Sequence, residues 1–276
     1  DELFGGYPKC AVDQYSRYLN WMPAKLRRSL LRGGASLLPF SKRRARIGLE
    51  NLAIADEAER LASWFSGFDA VALAEIVQPG ALDGHQGAAE RLREDLARCD
   101  SQHALDRMLY ADLNTWLVDD LLIKGDRMSM ASSVEARVPF LDHIFVEYAA
   151  GLPPAFKARG RRTKILLKKL AEKYIPHETI YRRKVGFTVP LTPWFQGPLK
   201  GFIRDILLSE RAVSRGYFKP EALTRQVDDH LNGKVDRGRS LWTLLSLEIW
   251  HRLFVDDDGT EAAAGRLGVQ IGNASR

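Results

Sequence analysis

Cysteine is scarce in this chain: Cys10 and Cys99 are the only two among 276 residues. Two thiols do not make a disulfide framework, so a reducing, cytoplasmic setting is expected and both cysteines read as structural. No apolar run approaches the ~20 residues of a membrane span, and no membrane partner is expected. A signal-peptide pattern is lacking too, and the first residue is Asp1 rather than methionine, which reads as a fragment or a processed chain. Histidines at metal-ligand spacing are missing; His85 and His103 stand alone. Nor is there an RNA-recognition signature, a zinc-finger spacing or a basic stripe with interleaved aromatics. The net charge of +6 therefore gives nucleic acid only a secondary place. The basic residues fall in small clusters: Arg27-Arg28, Lys42 to Arg44, Arg159 to Lys164, and Arg182 to Lys184. A basic helical binding module stays open as a reading of another class, and salt-dependent affinity for nucleic acid would mark it.

What the chain does have is apolar content, 45% of its residues, enough for one large domain or two small ones. Residues 11–40 read as helices, with Leu26, Leu30 and Leu31 facing inward and Gly33-Gly34 as a break. Further helical segments are expected over residues 52–65, 70–76, 88–98, 199–208, 220–231 and 240–254. Pro79, Gly80, Asp83 and Gly84 make 77–86 a loop. Residues 256–276 are small, polar and Gly-rich and read as a mobile tail.

The densest patterning lies between Asp126 and Asp142. Upstream of Pro139 a helix is expected from about Leu109 to Val134, with Leu113, Leu117, Leu121 and Met128 on its apolar stripe. Asp120, Lys124 and Arg127 follow i, i+4, i+7 on the opposite stripe. Glu135, Arg137 and Pro139 then force an extended exit, because the residue before proline avoids the helical region. Two accounts fit these charges, a solvated face with weak surface ion pairs and a ligand-facing cluster. Farther on, Arg159, Arg161, Arg162 and Lys164 precede a helix that Thr163 would cap, with Leu166, Leu170 and Tyr174 as its buried face. Cations at a helix N-terminus are unfavourable unless an anion binds there, which makes the segment a phosphate-site candidate.

The Asp126–Asp142 stretch is similar to the signature of the glutamine-hydrolysing asparagine synthetase family, D-R-x-S-M-A-x-S-x-E-x-R-x-P-F-L-D. Asp126, Arg127, Ser129, Met130, Ala131, Ser133, Glu135, Arg137, Pro139, Phe140, Leu141 and Asp142 are in register with it. Three more segments carry the same resemblance. Asp1 to Tyr7 looks like the tail of S-G-E-G-x-D-E-x-F-G-G-Y, Thr163-Lys164 fits G-x-x-T-K-x-x-L-[RK], and Lys184 to Pro190 fits the end of R-x-K-x-G-F-x-x-P.

The resemblance implies a mostly α fold, the helical C-terminal portion of an α/β ATP-pyrophosphatase-type synthetase domain, over residues 1–255. It implies ATP-dependent amide formation, in which aspartate is activated as an acyl-adenylate and ammonia from glutamine displaces AMP. ATP and Mg2+ would be required, with the metal at Asp1 and the departing pyrophosphate on Lys164, the two catalytic candidates. Arg162 and Lys184 would join Lys164 in phosphate binding, and Asp120, Lys124, Asp126, Arg127, Glu135 and Arg137 would bind or brace the carboxylate substrate. The resemblance further implies an upstream half that this sequence does not contain, the pyrophosphate loop S-G-G-x-D-S and an N-terminal glutaminase. Without that half the fragment alone is expected to be inactive. Relatives that amidate another carboxylate, on a small molecule, a peptide or a surface glycan, keep that alternative open, and a homodimer is one assembly it allows.

Overall fold

The computed structural model describes residues 1–39, 42–83, 87–182 and 189–256. They form two compact units, Asp1–Phe65 with Gln86–Lys184, and Ser66–His85 with Val185–Arg276. Both are helical, and the only sheet among the described residues pairs Ala158–Arg159 with Arg162–Thr163. The expected residues 257–276 of the tail lie outside the described residues.

The second unit is a helical cluster whose periodicity is plain in the sequence. Ile203, Ile206 and Leu207 recur at i, i+3, i+4 on the Lys200–Leu207 helix and are all buried. They meet Leu223 and Val227 of the Pro220–Leu231 helix, Leu241, Leu244 and Leu245 of Gly238–Trp250, and Phe195. Each such side chain contributes about 1.5–3 kcal/mol through burial. Pro220 occupies the first helical turn, where its missing N–H costs nothing. The Ala70–Ile76 helix is tied in at its end by Lys219 N to Ile76 O, 2.8 Å, and Gln78 N to Tyr217 O, 2.9 Å. Arg215 stands between Glu248 and Asp256, 2.6 and 2.5 Å away, and Arg252 closes on Glu248 at 2.6 Å.

The first unit departs from its apolar pattern in two instructive places. The Ala24–Ser36 helix runs straight through Gly33-Gly34 and turns its leucines outward: Leu26 is 48% and Leu30 56% exposed. The buried side chains are instead the small Ala35 and Arg27, the latter donating from Nε to the carbonyl of Leu52, 2.6 Å away, at the end of the Arg43–Leu52 helix. The expected 52–65 helix is thereby split, since Leu52 ends one helix and Glu57–Ser63 forms the next, capped by Asp56 accepting from Glu59 N. The expected 109–134 helix is divided as well. Ala104–Asn114 stops at Thr115, whose hydroxyl donates to its own helix at Ala111 O. A wider turn over Leu117–Leu122 follows, then Ile123–Met130. Met128, placed on the apolar stripe by its spacing, is 70% exposed.

Beneath this chain break lies a buried polar layer. Lys9 Nζ donates to Asp112 Oδ1 at 2.5 Å and rests over the Phe65 ring, 3.8 Å from its centroid, while Phe65 stacks on Trp116 at 4.1 Å. Burial pushes the Lys9 ammonium down and the Asp112 carboxyl up, and their mutual attraction opposes both shifts. Arg60 and Asp13 form a second buried pair at 2.8 Å.

Candidate active site

Residues 1–7 fold back on themselves. Gly6 N donates to Asp1 O at 2.9 Å, and Gly5 takes a left-handed φ of 61°. A side chain at Gly5 would be strained by that φ and would also press on Ala158 Cβ at 3.1 Å. Leu3 and Phe4 are buried against Ala149, Leu166 and Leu167 and anchor the turn. Tyr7 Oη donates to Glu2 at 2.5 Å. Burial, then the Glu2 carboxylate, hold that phenol protonated well above its usual range.

Facing this turn is the Ala158–Thr163 hairpin. Gly160 supplies its positive φ of 57°, and Gln14 clasps the turn in both directions, Nε2 to Gly160 O at 2.8 Å and Gly160 N to Oε1 at 3.2 Å. Buried Lys157 fixes the hairpin's entry through Asp106 and the Ala150 carbonyl. Thr163, expected to cap the next helix, is part of the second strand. The cap position before Ile165–Ala171 falls to Lys164, in the left-handed conformation with φ 54° and ψ 40°. That geometry costs a non-glycine residue about 1–3 kcal/mol. It is held by Lys164 N donating to Phe4 O at 3.1 Å, which stitches hairpin to turn. Leu166 and Leu167 form the packed face of that helix, whereas Leu170 and Tyr174 are 52% and 78% exposed.

The consequence is that the Lys164 ammonium and the Asp1 carboxylate form an ion pair across Gly6. Gly6 leaves the space the pair occupies: a Cβ there would lie 1.9 Å from Asp1 Oδ1 and 2.2 Å from Lys164 Cε, so both side-chain tips would have to shift. The pair stands at a cavity of about 590 Å3, walled on its other sides by Leu117, Leu121, Asp126, Val138, Phe140 and Leu167. The volume is that of a small-molecule site.

Among the sequence candidates, Asp1, Lys164 and Asp126 thus line one cavity. Asp120, half-buried, pairs with the exposed Lys124 at 2.9 Å, and Glu135 with Arg137 at 3.1 Å on open surface. Arg127 and Arg162 are exposed outside the cavity wall. Lys184 lies outside the described residues. Glu2, Gly6 and Tyr7 beside the pair fall within the 1–7 motif, whereas the buried Lys9 was not singled out by spacing. The two consecutive glycines, Gly5-Gly6, are the signal for a close approach of backbone to another group. Among the described residues no three His, Cys, Asp or Glu side chains cluster to hold a metal. A magnesium ion that rides in on phosphates needs just one or two protein carboxylates, and Asp1 fits that donor requirement.

The asparagine synthase family model matches residues 1–252. The chain belongs to the asparagine synthase family. It is 32% identical over 259 residues, 93% of its length, to a putative glutamine-hydrolysing asparagine synthetase of Mycobacterium tuberculosis, strain H37Rv. It is 34% identical over 152 residues, 55% of its length, to glutamine-hydrolysing asparagine synthetase 1 of Bacillus subtilis. Amidase chyE of Penicillium rubens is 26% identical over 161 residues, 56% of the chain and 23% of the amidase. The chain spans 38% of the mycobacterial relative and 24% of the Bacillus one. No solved structure matches it. The architecture is that of a mostly helical portion of the synthetase domain. Among the described residues no helix is long and apolar enough to cross a membrane.

Proposed function

We propose that this asparagine synthase family member serves ATP-dependent amide formation in a cytoplasmic enzyme, with its Asp1–Lys164 pair at the phosphate end of the site. The observation that carries the reading is the joining of Asp1, Lys164 and Asp126 around one 590 Å3 cavity. They come from three of the four segments that carry the family resemblance. In the proposed reaction a carboxylate oxygen of aspartate attacks the α-phosphorus of ATP, and the bond to the bridging oxygen of pyrophosphate breaks. Ammonia derived from glutamine then adds to the acyl carbon, loses a proton and expels AMP, leaving asparagine.

A carboxylate oxygen is a poor leaving group, and adenylation replaces it with a good one. Negative charge builds on the departing pyrophosphate, and fixed cations aimed at that charge are the largest source of rate. Lys164 would supply such a cation, its stem directed over Gly6 by the left-handed backbone. Asp1 would hold magnesium, which would neutralise phosphate charge when bound. The apolar wall of Leu117, Leu121 and Phe140 would keep water from the activated acyl group. The sequence covers a minority of its relatives' length, so the activity is assigned to the uninterrupted polypeptide with its glutaminase and pyrophosphate-loop half.

ATP–pyrophosphate exchange by that polypeptide tests the reading. Aspartate-dependent exchange, reduced more than about tenfold (~1.4 kcal/mol of barrier) in Lys164→Ala without loss of fold, is the expected result. Exchange unaffected by Lys164→Ala would overturn the site. The likeness to an amidase favours one second reading, the same chemistry on another carboxylate, and exchange with a different acid but not with aspartate would establish it.

A further inference from the structure

A second cavity of the first unit shares no residue with the one beneath Asp1 and Lys164. It encloses about 750 Å3 and is lined by five arginines, Arg17, Arg27, Arg60, Arg107 and Arg159, against a single acid, Glu57. Two of the five are neutralised. Glu57 holds Arg107 in a double contact, with Nε 3.0 Å and Nη2 2.8 Å from Oε2, and buried Asp13 holds Arg60 at 2.8 Å. Arg17, Arg27 and Arg159 have no carboxylate within ion-pair distance among the described residues.

Arg27 is the telling member. It is 1% exposed, and one nitrogen, Nε, is committed to the Leu52 carbonyl. Its Nη2 is buried without a hydrogen-bond partner among the described residues. Burial, then the neighbouring Arg60 charge, pull its guanidinium below the usual range, with Asp13 opposing. A buried guanidinium lacking a partner costs several kcal/mol, and the local fold turns Leu26 and Leu30 outward to put it there. The rest of the lining mixes small apolar residues, Met22 and Pro154 with polar groups. His103 Nδ1 accepts from Leu105 N at 3.2 Å, which leaves the proton of the neutral ring on Nε2 as a donor. Gln102, Asn20 and Ser16 add further hydrogen-bonding groups.

We infer that this arginine-lined cavity binds a small phosphate-bearing anion. Three unneutralised guanidiniums exceed what one carboxylate can satisfy. A phosphoryl group brings about −1.5 to −2 charges at neutral pH and three terminal oxygens. Arginine's planar fork suits such a group with paired hydrogen bonds.

Isothermal titration of inorganic pyrophosphate and inorganic phosphate into the intact protein tests the site, in a Lys164→Ala background that disables the other anion position. Saturable binding should persist there. It should weaken about tenfold or more in Arg17→Ala/Arg159→Ala, whose replaced side chains are exposed and leave the fold alone, and in Arg27→Met. If Arg27→Met fails to fold, the exposed pair still decides. Absence of saturable binding of either probe in the Lys164→Ala background would overturn the inference, as would affinity within about threefold of the parent in Arg17→Ala/Arg159→Ala.

Discussion

Replacing Gly6 with alanine separates the geometry of the Asp1–Lys164 pair from the stability of the fold. The new Cβ would lie 1.9 Å from Asp1 Oδ1 and 2.2 Å from Lys164 Cε, where ordinary contact begins at 3.4 Å. The carboxylate must therefore retreat by about 1.5 Å and the lysine tip by about 1.2 Å to reach that separation. Both are ends of flexible side chains, and the ion pair they form is partly exposed, with Lys164 35% and Asp1 20% accessible. Its loss is worth about 0–1 kcal/mol, and a glycine-to-alanine change in compatible backbone returns about 0.4–1 kcal/mol from the unfolded chain. Folding free energy should change by less than about 1 kcal/mol. A misplacement of about 1 Å at a reacting centre costs on the order of 100-fold in rate, or ~2.7 kcal/mol. Thermal denaturation and ATP–pyrophosphate exchange on the same preparation give both numbers. A folded Gly6→Ala protein exchanging within about threefold of wild type would refute the placement of phosphate over this pair. A large loss of stability would refute the view that only side-chain tips are in the way.

Lys9→Met should destabilise the fold by about 3–5 kcal/mol in urea titration, because it leaves Asp112 charged and buried. The double change Lys9→Met/Asp112→Leu should cost less than Lys9→Met alone, and equal or greater loss in the double variant would show that the pair is not the source. In the second unit, the hydrogen bond from Arg215, then the charges of Arg215 and Arg211, hold the Asp256 carboxyl down at about 2, below its unfolded value of about 3.9. Its contribution is therefore present above about pH 4 and is lost as pH falls through 2. Asp256→Asn should flatten the fall of the urea midpoint between pH 4 and 2, and an unchanged pH slope would remove Asp256 from the clamp. Burial pushes the Cys10 thiol up to about 12, so at pH 8 a thiol reagent should modify the half-buried Cys99 and spare Cys10. Rapid native labelling of a Cys99→Ser variant would contradict the burial of Cys10.

The helical character of the chain and several element positions were legible in the sequence. Ala70–Ile76 and Pro220–Leu231 fall where periodicity placed them; in Pro220–Leu231 the apolar residues Leu223, Val227 and Leu231 are buried on one face and nothing competes with that signal. The first unit was less legible for a definite reason. In Ala24–Ser36 the apolar stripe of Leu26 and Leu30 is strong, yet the helix is oriented by Arg27, whose bond to the Leu52 carbonyl no periodicity encodes. The break at Thr115 follows from a hydroxyl bonding back to its own helix, an option that a 3.6-residue pattern cannot register. At the site, the resemblance marked Asp1, Lys164 and Asp126, which share a cavity, together with charges such as Glu135 and Arg137, which pair in the open. Motif spacing alone did not distinguish a residue that faces the cavity from one that neutralises its neighbour.

The αL conformation of Lys164 ties these scales together. A residue at φ 54° persists only if its surroundings over-determine it, and here three independent constraints do. The Lys164 N–H is taken by the Phe4 carbonyl, Leu166 and Leu167 pack against the cluster that buries Leu3 and Phe4, and Gln14 locks the hairpin turn four residues earlier. A lysine capping the helix in ordinary backbone would be free to point its long side chain into solvent. The left-handed turn directs it over Gly6 to Asp1. Side-chain entropy worth up to about 2 kcal/mol is thereby lost during folding rather than when the ligand arrives. A cation fixed in advance needs little reorganisation as charge develops on a leaving group. The strain at Lys164, the missing side chain at Gly6 and the clasp at Gln14 are one device, and each has its cause in a residue that helical periodicity leaves unexplained.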